Sequence, residues 1–166
     1  MKKIFLLLLT ISFCSIKICS QIPVKDGVFV YDGVVTVENT DKDALYGRIY
    51  EWFARTYNSA NDVIQLNDKE NGKIVGKGIF KIDYYQRKPT ISHTISVYVK
   101  DGRFRYVIEF LKYSDIQGDS FNLENFPKGW VSKGSLYKKV DEKIKNIIGS
   151  LIDYSKKQST IENEDW

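Results

Sequence analysis

Hydrophobic and polar positions change their period several times along the chain, and each change marks an element. Val34 to Glu38 is short and β-branched, as a strand feeding a helix should be. Beyond it Leu45, Ile49, Trp52, Phe53 and Thr56 recur at helical spacing, while Lys42, Arg48, Glu51 and Arg55 fall mainly on other faces. This pattern predicts an amphipathic helix with one large, aromatic side. Thr40 followed by Asp43 fits the S/T-x-x-D/E start signal, and Asp41 and Asp43 complement the positive end of the helix dipole. Asn58-Ser59-Ala60-Asn61 supplies the stop, being residues that favour caps and turns.

Two hairpins follow. In the first, a three-residue loop of Glu70-Asn71-Gly72 with Gly72 left-handed pairs Lys69 with Lys73, Leu66 with Gly76 and Ile64 with Gly78. That register gathers Ile64, Leu66, Ile74, Gly76, Gly78, Phe80 and Ile82 on one face. Two of those positions lack a side chain, and a glycine inside a strand marks a place where something approaches closely. Trp52 and Phe53 are the expected visitors. The second hairpin turns at Asp101-Gly102, which sets Val99 with Phe104, Val97 with Tyr106 and Ile95 with Ile108 on a core face. Lys100 with Arg103, Tyr98 with Arg105 and Thr94 with Glu109 then lie on the other, wetter face.

Tyr113 to Lys133 is a long connection carrying Phe121, Phe126 and Trp130. Connections of that length are either pinned to the core by their own aromatics or serve as lids and recognition loops. A last helix is expected from Ser135 to Lys156, with Leu136, Val140, Ile144, Ile147 and Leu151 as its apolar stripe. Residues 158–166 read as an acidic tail without regular structure.

The first residues change the charge balance. Lys2-Lys3, an apolar run from Ile4 to Phe13, and small and polar residues up to Ser20 form the pattern of a secretory signal, with cleavage expected after Ser20. The apolar run is shorter than the roughly 20 residues that span a bilayer, so no transmembrane anchor is expected once it is removed. An outer-membrane lipoprotein is the competing reading, although Cys14 follows Phe13 and Cys19 follows Ile18, where a small residue is usual. The chain holds 25 basic and 21 acidic residues, a formal charge of +4. Without Lys2, Lys3 and Lys17 the balance is 22 minus 21, or +1. A near-neutral exported chain has no basic excess for nucleic acid or an anionic membrane. Both cysteines leave with the signal, and with them any disulfide, thiol nucleophile or thiolate metal site. The remaining residues suffice for one self-supporting core, with 21–33 as a lead-in and 34–157 as the domain.

Several stretches then carry a resemblance. Tyr31-Asp32-Gly33-Val34-Val35-Thr36-Val37, Glu51-Trp52-Phe53, Asp62-Val63-Ile64-Gln65-Leu66-Asn67-Asp68 and Gly72-Lys73-Ile74-Val75-Gly76-Lys77-Gly78 resemble a family of exported Bacteroidetes proteins, a domain of unknown function with a TBP-like fold. The resemblance is concentrated from Val34 to Phe110. It implies an α+β, helix-grip architecture of order β-α-β-β-β-β-α, an antiparallel sheet with two helices packed on one face. It carries over no catalytic residue, and the fold alone confers no activity.

The chemistry offered by the residues is sparse. His93 is the sole histidine, expected on the core side near Phe110, which suits a satisfied buried ring better than a catalytic base. One histidine without cysteine makes no zinc site. Gly76-Lys77-Gly78 lacks phosphate-loop spacing, and Asp115, Asp119 and Glu124 fit no calcium loop. No cofactor is implied. The reading is a non-enzymatic envelope module that binds a protein or a small apolar ligand, with Tyr98, Arg103, Arg105, Phe121, Phe126 and Trp130 as candidate contacts. The alternative is a hydrolase or isomerase using His93 with acidic loop residues. DNA-binding TBP uses a basic sheet, but export and near-neutral charge argue against that partner here.

Overall fold

The computed structural model describes residues 22–57, 63–84, 88–127, 129 and 133–157. Its organising contact is between an aromatic helix and a strand with two glycines. Helix α1 (Lys42–Thr56) buries Leu45, Tyr46, Ile49, Trp52 and Phe53 along one side. Strand β5 (Lys73–Lys81) faces it with Ile74, Gly76 and Gly78. A Cβ added at Gly76 would lie 2.7 Å from Cε1 of Phe53, so the ring rests on bare backbone. One added at Gly78 would lie 2.5 Å from both His93 and Tyr57. The expected visitors are thus half right. Phe53 comes to Gly76, but Trp52 turns toward the second helix, and Tyr57 with His93 fills the space at Gly78. Thr56, expected on the apolar stripe, is exposed, and Tyr57 at the helix C-cap takes that role.

The strands are β1 (Val24–Lys25), β2 (Val28–Phe29), β3 (Tyr31–Thr36), β4 (Ile64–Asp68), β5, β6 (Thr90–Lys100), β7 (Arg103–Ser114) and β8 (Ser120–Asn122). Six of them form one antiparallel sheet in the order β3-β7-β6-β5-β4, with β8 also pairing β7. The predicted order β-α-β-β-β-β-α describes β3, α1, β4 to β7, and α2 (Lys133–Lys156). Both helices pack on the same face of the sheet, as expected. Trp52 Nε1 donates to Ser150 Oγ at 3.0 Å between them, and Arg48 lies buried there and donates to the Ser155 carbonyl. Arg48 is therefore not on an outer face, because its long stem is needed to fill the seam between helices. Among the described residues no helix is long and apolar enough to cross a membrane.

Several boundaries move. Residues 22–33 are not a lead-in outside the domain. Ile22, Phe29 and Tyr31 are buried in the core, and β3 begins at Tyr31, whose hydroxyl donates to the buried Asp141 of α2 at 3.0 Å. The helix cap is Asp41 rather than Thr40. Its carboxylate accepts from the Ala44 N–H at 2.9 Å, and Asp101 of the second hairpin turn accepts from Lys42 N–H at 2.8 Å. The turn that makes the hairpin also satisfies the helix start, which no local pattern can show.

The second hairpin has the predicted register from Lys100 and Arg103 out to Thr94 and Glu109. The first does not. Its loop is Lys69 to Gly72, closed by the Asp68 side chain on Asn71, so Asp68 pairs with Lys73 and Leu66 with Val75. Leu66 is consequently exposed on the far face, while a bulge at Gln65 returns Ile64 to Gly76 and the core side. Gly72 is left-handed as expected, at φ +65°.

The long connection is also more ordered than its composition suggests. It forms β8 and a short 3₁₀ turn, Leu123–Asn125. The apolar stripe of α2 is as predicted, except that Ile148 is buried more fully than Ile147. Residues 158–166 and Trp130 lie outside the described residues.

The glycine contacts make a direct prediction. Gly76→Ala and Gly78→Ala should each cost about 1–3 kcal/mol by overpacking. Gly47→Ala, in the open middle of α1, should instead stabilise by about 0.5–1 kcal/mol. Urea unfolding of the three variants checks both signs.

Candidate functional site

The helices cover one face of the sheet and leave the other open. Along β6 the odd positions Ile91, His93, Ile95 and Val97 are buried beneath the helices. Strand alternation therefore puts Thr90, Ser92, Thr94 and Ser96 on the open face, a row of hydroxyls that ends at Tyr98. Sequence reading missed this row, though its signal is plain in hindsight: four small hydroxyl residues at alternate positions of one strand.

Taller residues flank the row. Ile79 of β5 pairs with Ser92, Ser92 with Lys112 of β7, and Lys112 with Asn122 of β8. Lys77 stands beside Thr94 one step along. The register between β6 and β7 slips between Ser92 and Thr94, and Phe110 lies in that irregular stretch with φ +57°. A non-glycine residue in that region costs about 1–2 kcal/mol. The strain holds an aromatic ring 63 % exposed at the rim. A cleft of about 550 Å³ results, bordered by Lys77, Ile79, Ser92, Thr94, Phe110, Lys112 and Asn122, and by Tyr57, Val63, Gly78 and His93.

His93 is only 2 % exposed, and burial lowers its pKa to about 4, so the ring is neutral at neutral pH. Its Nε2 lies 3.1 Å from the Tyr57 hydroxyl, whose own pKa is pushed up by burial. Nδ1 has no hydrogen-bond partner among the described residues. Ser92 and Thr94 adjoin His93 in sequence but point to the opposite face, so the ring is not set to deprotonate either.

The carboxylates of the alternative reading are used elsewhere. Asp115 accepts from the Gln117 and Asp119 N–H groups within its own turn, and Glu124 accepts from Phe29 N–H. None of Asp115, Asp119 and Glu124 borders the cleft. Among the described residues no group of three His, Cys, Asp or Glu could hold a metal ion.

The predicted contacts divide. Phe121 stacks on Tyr113 with centroids 4.8 Å apart, and Phe126 meets both edge-on, so these two pin the connection to the core. Tyr98, Arg103 and Arg105 do come together on the open face, with Val34 and Lys100, around a second cleft of about 290 Å³. Arg105 is not free there. Asp32 holds it through two bonds of 2.8 and 2.6 Å, and the same contact keeps the Asp32 carboxyl below its usual range. Lys73 Nζ sits 5.4 Å from the centre of the Tyr98 ring.

The comparisons agree with this architecture. A family model, "Domain of unknown function (DUF4468) with TBP-like fold", matches residues 31–114. The chain belongs to the DUF4468 family. Its fold is similar to that of a TBP-like protein from Parabacteroides distasonis ATCC 8503, at a TM-score of 0.74 and 17 % identity, covering 83 % of this chain and 99 % of that one. A DUF4468 family protein from Bacteroides ovatus ATCC 8483 is similar at a TM-score of 0.70 and 14 % identity, covering 84 % and 92 %. At those identities the likeness is one of fold. No curated protein matches the chain. DUF4468 membership places the strands and helices and assigns no activity.

Burial of neutral His93 predicts a pH dependence. Its folded pKa lies below the ordinary 6.5, so the unfolded chain binds the extra proton first. The group's contribution is complete above about pH 6.5 and falls away toward pH 4, by up to about 3 kcal/mol. Urea unfolding at pH 7, 5.5 and 4.5 should show that loss in the native protein, and His93→Gln should lack this part of it.

Proposed function

We propose that this DUF4468 domain is a non-enzymatic binding module of the cell envelope, which uses the open face of its sheet to hold a protein or a small apolar ligand. The observation that carries the reading is where the exposed apolar side chains lie. Among the described residues Val34, Leu66, Ile79, Tyr98 and Phe110 stand exposed together on that face or at its rim, whereas Val24, Val28, Tyr50 and Ile116 are exposed singly or in pairs elsewhere. Exposed apolar residues gathered on one surface and set among polar ones are the usual mark of an interaction site.

The charge pattern supports the same surface. Alternation puts Lys73, Lys77, Lys81, Lys100, Arg103, Arg105 and Lys112 on the open face against Asp32, Asp68 and Glu109. The sheet thus has a basic face although the chain without its first 20 residues is near neutral. A nucleic-acid partner fits this pattern less well, since Arg105 is committed to Asp32 and Lys73 to Tyr98. Export, read from the first 20 residues, points the same way.

A photo-crosslinking residue placed at Tyr98 should trap a specific partner in intact cells, while the same residue at Tyr50 on α1 should not. Equal labelling from both positions would overturn the assignment to this face. Tyr98→Ala combined with Arg103→Ala should weaken the captured complex at least tenfold and change stability by no more than about 0.5 kcal/mol.

A further inference from the structure

The cleft at the slipped register allows the occupant to be named by class. We infer that it takes a small molecule with an apolar body and a single carboxylate head, of the medium-chain fatty-acid type. The inference rests on the binding reading above and narrows it.

Three observations carry it. The volume, about 550 Å³, lies within the roughly 300–1,000 Å³ of small-molecule sites and is too small for a folded partner. Each wall carries both chemistries, Ile79 with Lys77 on β5 and Phe110 with Lys112 on β7. Ile79 and Phe110 offer exposed hydrocarbon from opposite sides of β6, and Phe110 is held outward at a backbone cost that packing does not return, because the ring is mostly in solvent. Lys77 and Lys112 also stand on opposite sides of the hydroxyl row, and neither makes an ion pair or side-chain hydrogen bond among the described residues.

Between those walls, Ser92 and Thr94 add hydroxyl donors that no side-chain or backbone acceptor engages among the described residues. A carboxylate seated over Ser92 and Thr94 would accept from the hydroxyls and from either ammonium, in charge-assisted bonds. Glu109, which faces Thr94, is not part of the lining and leaves the local balance positive. The buried His93 ring lies on the other face of β6 and takes no part in holding that carboxylate.

The test uses the protein as its own cells produce it, with three probes measured by titration calorimetry. Decanoate carries body and head, decan-1-ol the body alone, acetate the head alone. Decanoate should bind at one site at least tenfold more tightly than either of the others. Lys77→Met with Lys112→Met should remove that advantage and leave decan-1-ol binding unchanged, and both are surface changes that spare the fold. Ile79→Ser should weaken decanoate and decan-1-ol together.

Phe110→Gly relieves the strained backbone and should leave the protein as stable as before while weakening decanoate at least fivefold. Equal affinity for decanoate and decan-1-ol, or an unchanged decanoate affinity in the double lysine variant, would overturn the carboxylate assignment. No binding of any probe alongside a protein trapped from Tyr98 would overturn this inference and leave the binding-module reading standing. No binding together with equal labelling from Tyr98 and Tyr50 would overturn both.

Discussion

The structure depends on how closely α1 can approach β5. Phe53 lies over Gly76, and Tyr57 with His93 closes over Gly78, at separations that no side chain on those two residues would permit. Dispersion and apolar burial fall off within a fraction of an ångström, so a helix held away by two methyl groups would lose much of the contact that fixes it. Because α1 is seated there, Trp52 can reach Ser150 and Arg48 can fill the seam with α2. Asp41 and Asp101 then close the helix start against the second hairpin turn. The glycine pair thereby couples the sheet, both helices and a distant turn into one core.

With both helices committed to one face, the other is left to water. The consequence is a separation of chemistry within single strands. On β6 the odd residues are aliphatic apart from His93, and the even ones are hydroxyls as far as Tyr98. Cations gather on that open face from β5, β6 and β7, and carboxylates are fewer there. The slip between β6 and β7 then breaks the flatness of the sheet, raises Phe110 out of it and opens the cleft. Bulges commonly re-aim side chains in this way. Residues 21–166 are close to neutral in sum, yet folding sorts their side chains by parity into one face that is net basic.

The sequence by itself determined the elements whose signals are local. Helical periodicity marked α1 and α2, and Asp101-Gly102 fixed the register of the second hairpin because a two-residue turn of that type permits one pairing. Gly76 and Gly78 announced a close approach, and Phe53 was legible as one visitor. Even the open face could be read in part, since Tyr98, Arg103 and Arg105 followed from that register. The tertiary structure decided what depends on partners far along the chain. Leu66 moved to the outer face because Asp68 closes a longer loop, and Tyr57 replaced Trp52 because the second helix drew Trp52 away. Ile22 and Phe29 belong to the core through distant partners, Phe29 through Glu124 and the Tyr137 ring of α2. The cleft was hidden for the same reason. Most of its residues come from β5 to β8, joined by Tyr57 and Val63, and they meet because hydrogen bonding aligns Ile79, Ser92, Lys112 and Asn122 in one row, a juxtaposition that no single stretch of chain encodes.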